Sequence, residues 1–200
     1  MKVSPGGSQI YEYDELEPRD LHLPEQYCVY IDEICAHFDK LHPERRTTVF
    51  HEIISDLVHI DVHVMYPNEK EDFYVLYTTG MSDLPMSTPA ELDESERWAR
   101  AELLMYLPKT WNPEADMEQS YADFWPIQTL QFLARFPHEY STWLAHGHTI
   151  PNGPDYAPFL EGSQMSCVAL CGFGEPTSPV IANDGSIINI YMITPNNPRQ

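Results

Sequence analysis

The chain has 200 residues, 42% of them hydrophobic, and 31 acidic against 11 basic side chains give a net charge of −20. That length and apolar content suit one domain with a real core, while so acidic a surface repels nucleic acid and anionic lipid and steers a basic partner. The opening MKVSPGGSQIYEYDELEPRD lacks an apolar signal core, and no run approaches a membrane span, so a cytoplasmic, monomeric protein is expected. The cysteines agree with reducing surroundings. Cys28 and Cys35 stand about 10 Å apart on an expected helix and Cys167 and Cys171 about 13 Å apart on an expected strand, too far for either pair to bridge.

In chain order, residues 1–20 read as a flexible acidic arm, held at Tyr11 and Tyr13, and residues 21–200 as a single domain. Pro24 opens a predicted helix over about 25–41, with Tyr27, Ile31, Ile34, Cys35, Phe38 and Leu41 on one face and Asp32, Glu33 and Asp39 on the other. A short strand within 47–54 leads to the stretch that organises the chain, residues 57–86, with a central hairpin at 57–79. There Leu57, His59, Asp61, His63 and Met65 alternate with Val58, Ile60, Val62, Val64 and Tyr66; Pro67 to Asp72 turns the chain; and Phe73 to Thr79 returns antiparallel. The first set predicts a polar, half-exposed face and the second a buried one. Residues 88–96 read as a loop or one helical turn.

Residues 101–107 satisfy helix propensity, but their alternation and their place after a hairpin predict a third strand ended by Pro108. A loop anchored by Trp111 follows. Pro126 then starts a second helix over 126–136 with Ile127, Leu130, Leu133 and Ala134 on one face, which Pro137 interrupts and HEYSTWL extends by a turn or two. His146 and His148 lead into a loop, TIPNGP, and the last two strands lie in SQMSCVALCGF and SIINIYMIT around a turn-rich linker. The expected class is α+β, a mixed, largely antiparallel sheet with helices packed against it.

Four blocks, in this order and spacing, carry a resemblance: YTTGMSDLPM, AELLMYLPKTW, WPIQTLQFLARFPHE and HGHTIPN. From about Val49 to Pro195 the chain resembles the suppressor of fused family, in its single-domain bacterial form. The resemblance implies an α+β domain without catalytic activity that binds a protein partner. The animal member of the family regulates the Hedgehog pathway by binding a transcription factor, and many bacterial members look like immunity proteins that neutralise a toxin. It further implies that a partner peptide adds as a β-strand near the loop Gly80 to Asp83. At the C-terminus the chain departs from the family: Asn196 and Asn197 follow Pro195 where a proline, two glutamates and a closing helix are usual.

The partner-binding residues expected on these grounds are Tyr77, Gly80, Met81, Ser82, Asp83 and Met86. Gly80 permits a sharp exit from the strand; the methionines offer adaptable apolar contacts; Asp83 offers a carboxylate to an Arg or Lys of a basic toxin domain. The bland alternative is that the methionines close the core and Asp83 caps a turn. The other chemical feature is His59, Asp61 and His63 on one strand face, with His51 and Glu52 upstream. Residues i and i+4 of a strand stand roughly 13 Å apart, so only one of His59 and His63 can join Asp61 and a residue from elsewhere around an ion. The expectation is therefore no metal and no cofactor, with a metal-dependent hydrolase using Asp61 and nearby histidines as the alternative function. His146 and His148 are expected to hydrogen-bond backbone.

Overall fold

The computed structural model describes residues 2–3, 9–17, 20–114 and 121–197, residues 121 and 122 by their backbone. At the N-terminus β1 (Lys2–Val3) and β2 (Gln9–Ile10) form a small antiparallel ribbon. Beyond it Tyr13 packs edge-on to Phe136, at 5.2 Å, and lies 2.8 Å from Thr142 through its hydroxyl.

The first long helix, α1 (Ile31–Leu41), begins six residues later than the expected start at 25. Local propensity there loses to longer-range bonds. The His22 N–H donates to Asp56 Oδ1 (2.8 Å), the His22 carbonyl accepts from Leu57 N–H (2.9 Å), and the Val29 N–H donates to Asp83 Oδ1 (3.0 Å). Cys28 takes a left-handed φ of 59°, which no helix accommodates, so Tyr27 and Cys28 lie outside α1.

Next come β3 (Thr47–Phe50), β4 (Asp61–Met65), β5 (Phe73–Thr79) and β6 (Ala101–Pro108), an antiparallel run in sequence order. The residues at 101–107 are thus a strand, as their alternation predicts. Between β5 and β6, residues 95–98 form one 3₁₀ turn, at the end of the span expected as a loop or one helical turn.

The second helix, α2 (Tyr121–Glu139), is longer than the predicted 126–136, and both Pro126 and Pro137 lie inside it. A proline removes its own N–H and one ladder bond, and near the two ends of a helix packed on a sheet that loss is tolerable. Tyr140 and Thr142 close the helix through N–H bonds to the carbonyls of Phe136 and Pro137, so of HEYSTWL only His138 and Glu139 extend it, short of the turn or two expected. TIPNGP, expected as loop, contributes β7 (Thr149–Pro151), which suits the sheet margin because proline is tolerated on an edge strand. The chain continues through β8 (Cys167–Cys171) and β9 (Val180–Ile181) to β10 (Ile187–Asn196).

Spatially the order is β3-β4-β5-β6-β10-β8-β7, with β9 paired to the start of β10. Among these pairings only β6 with β10 is parallel. The class is α+β with a mixed, largely antiparallel sheet, as expected.

Both faces of the sheet are covered. Ile127, Leu130, Leu133 and Ala134 of α2 bury Val62, Val64, Leu76, Leu103 and Met105 on one side. On the other, Tyr30, Ile34 and Phe38 bury Met65, Val75, Tyr77, Leu104, Ile188 and Ile190. The expected half-exposed polar face is therefore corrected. Asp61 and His63 are 3% and 4% exposed, because α1 and the segment leading to it lie over that side. Phe38 stacks on Tyr77 at 4.0 Å, and Tyr77 stacks on His63 at 4.6 Å. Burial holds the His63 ring neutral, its pKa lowered to about 4, and its Nε2 lies 3.0 Å from Thr79 Oγ1.

Candidate functional site

The expected partner residues meet at one end of the hairpin. After Thr79 the backbone makes a left-handed step at Gly80 (φ 100°) into a 3₁₀ turn, Met81–Asp83. A side chain at 80 has no room, since a Cβ there would lie 1.8 Å from the His59 carbonyl oxygen. That approach brings the turn against the start of β4.

Three polar residues that the sequence reading missed lock the turn. Glu102, on β6 and fully buried, accepts the Ser82 N–H (2.9 Å) and Ser82 Oγ–H (2.6 Å) on Oε1, and the Thr78 hydroxyl (2.6 Å) on Oε2. Arg100 donates from Nη1 to the carbonyls of Ser82 and Asp83. His138 of α2 lies 2.9 Å from the Met81 carbonyl through Nε2, and burial lowers its pKa to about 4, so the neutral ring donates. Arg135 acts one turn away, on residues 52–58. The one local signal for Glu102 is a carboxylate inside the apolar run AELLMYL; its partners stand 20 and 24 positions distant and leave no mark at short range.

As a result Tyr77, Met81, Ser82, Asp83 and Met86 are buried, Met81 and Ser82 completely. Asp83 spends one oxygen on the N–H of Val29, and burial pushes its carboxyl upward. The exposed side chains nearby are others. Leu84 and Val29 are about as exposed as each other, and Ile53 is 96% and Ile54 71% exposed. The bonds from His22 to Asp56 and Leu57, and from Val29 to Asp83, hold the segments bearing Leu21, Leu23, Tyr27, Ile53, Ile54 and Leu84 at this same end.

Glu102 makes a measurable prediction. Burial raises its pKa from the ordinary 4.5 to about 7, so the folded state binds this proton more tightly than the unfolded chain does. Its stabilising contribution is complete below 4.5 and is lost as pH rises through about 7. Glutamine reproduces the neutral acid and does not titrate. Denaturant unfolding of Glu102→Gln beside the parent at several pH values should show the variant gaining on the parent by about 3 kcal/mol across that window. A difference independent of pH would mean that the carboxyl does not titrate there.

His63 does not join His59 around Asp61, in keeping with the strand spacing. His51 does: its Nδ1 and the Nε2 of His59 each lie 3.0 Å from an Asp61 oxygen. Elsewhere His146 accepts the Gly172 N–H on Nδ1 at 3.2 Å, the backbone bond expected of it. No helix among the described residues is long and apolar enough to cross a membrane.

The family model described as suppressor of fused protein matches residues 56–197. No curated protein matches the chain. Among solved structures, a suppressor of fused homolog from Neisseria gonorrhoeae aligns with a TM-score of 0.54 at 15% identity, covering 84% of this chain and 78% of that one. At that identity the likeness shows a shared fold.

Proposed function

Because this chain belongs to the suppressor of fused family, matched over residues 56–197, we propose that it is a non-enzymatic protein-binding module whose partner is a basic toxin domain that it neutralises. The observation carrying the reading is the set of exposed apolar side chains, Ile53, Ile54, Leu84 and Tyr27, on segments tied to a rigid turn. That set belongs to a chain of net charge −20. Long-range attraction would speed the encounter, and desolvation of the apolar side chains would set residence time. In this arrangement Tyr77, Gly80, Met81, Ser82, Asp83 and Met86 form the buried support of the binding end, and Leu84 with its neighbours forms its outer face.

A toxin domain encoded beside the gene is the expected partner and serves as the probe. Leu84→Glu and Ile53→Glu place charge at positions already in water, so both should fold normally and lose at least about tenfold in affinity, mostly through faster dissociation. Association by the parent should slow steeply as ionic strength rises. Full affinity in both folded variants would remove the site from this end. A metal-dependent hydrolase is the second reading, favoured by the grouping of His51, His59 and Asp61. Turnover by metal-loaded protein that is lost in Asp61→Asn would favour it.

A further inference from the structure

The start of β4 carries a group of side chains with the composition and spacing of a metal centre. His51 Nδ1, His59 Nε2 and an Asp61 oxygen all lie within 4.8 Å of one another. Donors around a tetrahedral zinc ion, bound at 2.0–2.2 Å, stand roughly 3.4 Å apart. His51 Nδ1 lies 3.0 Å from Asp61 Oδ2 and His59 Nε2 lies 3.0 Å from Asp61 Oδ1, so the carboxylate already holds both imidazoles close, and binding requires them to converge on one ion. We propose that His51, His59 and Asp61 bind a divalent transition-metal ion, zinc foremost, with an open position toward solvent. This inference does not depend on the identity of the protein partner.

Three features of the fold support it. The antiparallel pairing of β3 with β4 sets Phe50 opposite Val62, so the next residue, His51, comes to the start of β4, where Asp61 stands. The ligands are graded in exposure. Asp61 is buried at 4% side-chain exposure, His59 is at 24% and His51 at 69%. A fixed anionic anchor thus lies at the bottom and a movable imidazole at the mouth, which leaves room for water as a fourth ligand.

The third feature is the partner of His59. Its Nδ1 lies 2.6 Å from Ser55 Oγ, which directs Nε2 toward Asp61. A metal-bound histidine ordinarily uses its second ring nitrogen in such a bond. The hydroxyl serves both states. It donates to Nδ1 when Nε2–H donates to Asp61, and it accepts from Nδ1–H when Nε2 holds the metal, so no net proton is released from the ring. Two imidazoles and one carboxylate are a ligand set for zinc, and equally one for other first-row ions with open positions.

The competing description is a carboxylate that merely accepts hydrogen bonds from two imidazoles. Purified full-length protein, stripped with chelator and titrated with Zn2+ in a calorimeter, separates the two. The expected result is one ion per chain at micromolar affinity or tighter, and visible absorption from Co2+ in the same site. His51→Ala is the informative variant, because the ring is mostly in water and its loss should leave thermal unfolding of the metal-free protein unchanged. It should weaken binding by at least about tenfold, Ser55→Ala by about 10–100-fold, and His146→Ala not at all. Absence of uptake by the parent, or uptake undiminished in folded His51→Ala and His51→Ala/His59→Ala proteins, would overturn the proposal.

Discussion

Gly80→Ala should lower stability by about 4 kcal/mol or more, enough to take a protein of ordinary marginal stability close to unfolding. Two costs combine. A φ of 100° is unfavourable for any residue with a Cβ, and the added carbon would sit 1.8 Å from the backbone oxygen of His59. Neither chain can yield easily. The Met81–Asp83 turn is held by Glu102, Arg100 and His138, and the approach to β4 is bonded to Arg135. Gly185→Ala is the matched control, since Gly185 has a φ of 87° and nothing within 4 Å of an added Cβ. Thermal unfolding of the two should therefore differ by roughly 6–12 °C, taking about 1 kcal/mol for the φ alone and 2–4 °C per kcal/mol at this size. Equal losses would show that the approach at His59 relaxes freely.

The second large effect is expected at Arg135. From α2 its guanidinium pairs with Glu52 through Nε (2.9 Å) and Nη2, and also donates to the carbonyls of Asp56 (2.6 Å) and Val58 (3.1 Å). Glu52 in turn accepts the Ile60 N–H at 3.2 Å. Both side chains of the pair are 14% exposed, so Arg135→Ala strands a nearly buried carboxylate and two carbonyls together. Removing one partner of a buried pair costs about 3–5 kcal/mol, and the residual exposure places this case near 3. A double-mutant cycle with Glu52→Gln should recover part of that loss, because it removes the stranded charge. A loss under about 1 kcal/mol for Arg135→Ala, measured by denaturant unfolding, would show the clamp to be water-replaceable.

The layout of the sheet was legible wherever local periodicity carried it. The alternation at 57–66 and 101–107 identified β4 and β6, and helical spacing identified both helices. The misses have a common cause. Pattern shows which residues share a face but not what covers that face, so Asp61 and His63 were expected half-exposed although α1 lies over them. Residues 25–30 satisfy a helix locally, and only the bonds of His22 to Asp56 and Leu57 and of Val29 to Asp83 show why the chain bends there instead.

At the site, the Gly80 step was legible because glycine itself marks it. The burial of Met81, Met86 and Asp83 was legible only as the alternative in which the methionines close the core and Asp83 caps a turn; what decides for it, Glu102 and Arg100, stands more than 15 residues away. The metal ligands were half legible. Strand rise rightly separated His59 from His63, whereas the nearness of His51 to Asp61 is a product of the β3–β4 register.

The parallel seam between β6 and β10 has a consequence for the order of assembly. Strands β3 to β6 form a meander whose neighbours are close in sequence, so they can pair while the chain is still emerging from the ribosome. β8 and β7 attach only to β10 and to each other, and β10 is inserted between β6 and β8 after about 80 intervening residues. Until residues 187–196 are made, β6 is an open edge and the α1 layer lacks Ile188 and Ile190. Such non-local closure slows folding and leaves a sticky half-sheet in the meantime. The latest of these strands to be synthesised therefore closes the middle of the sheet, and a nascent chain halted before it would be a target for chaperones or proteases.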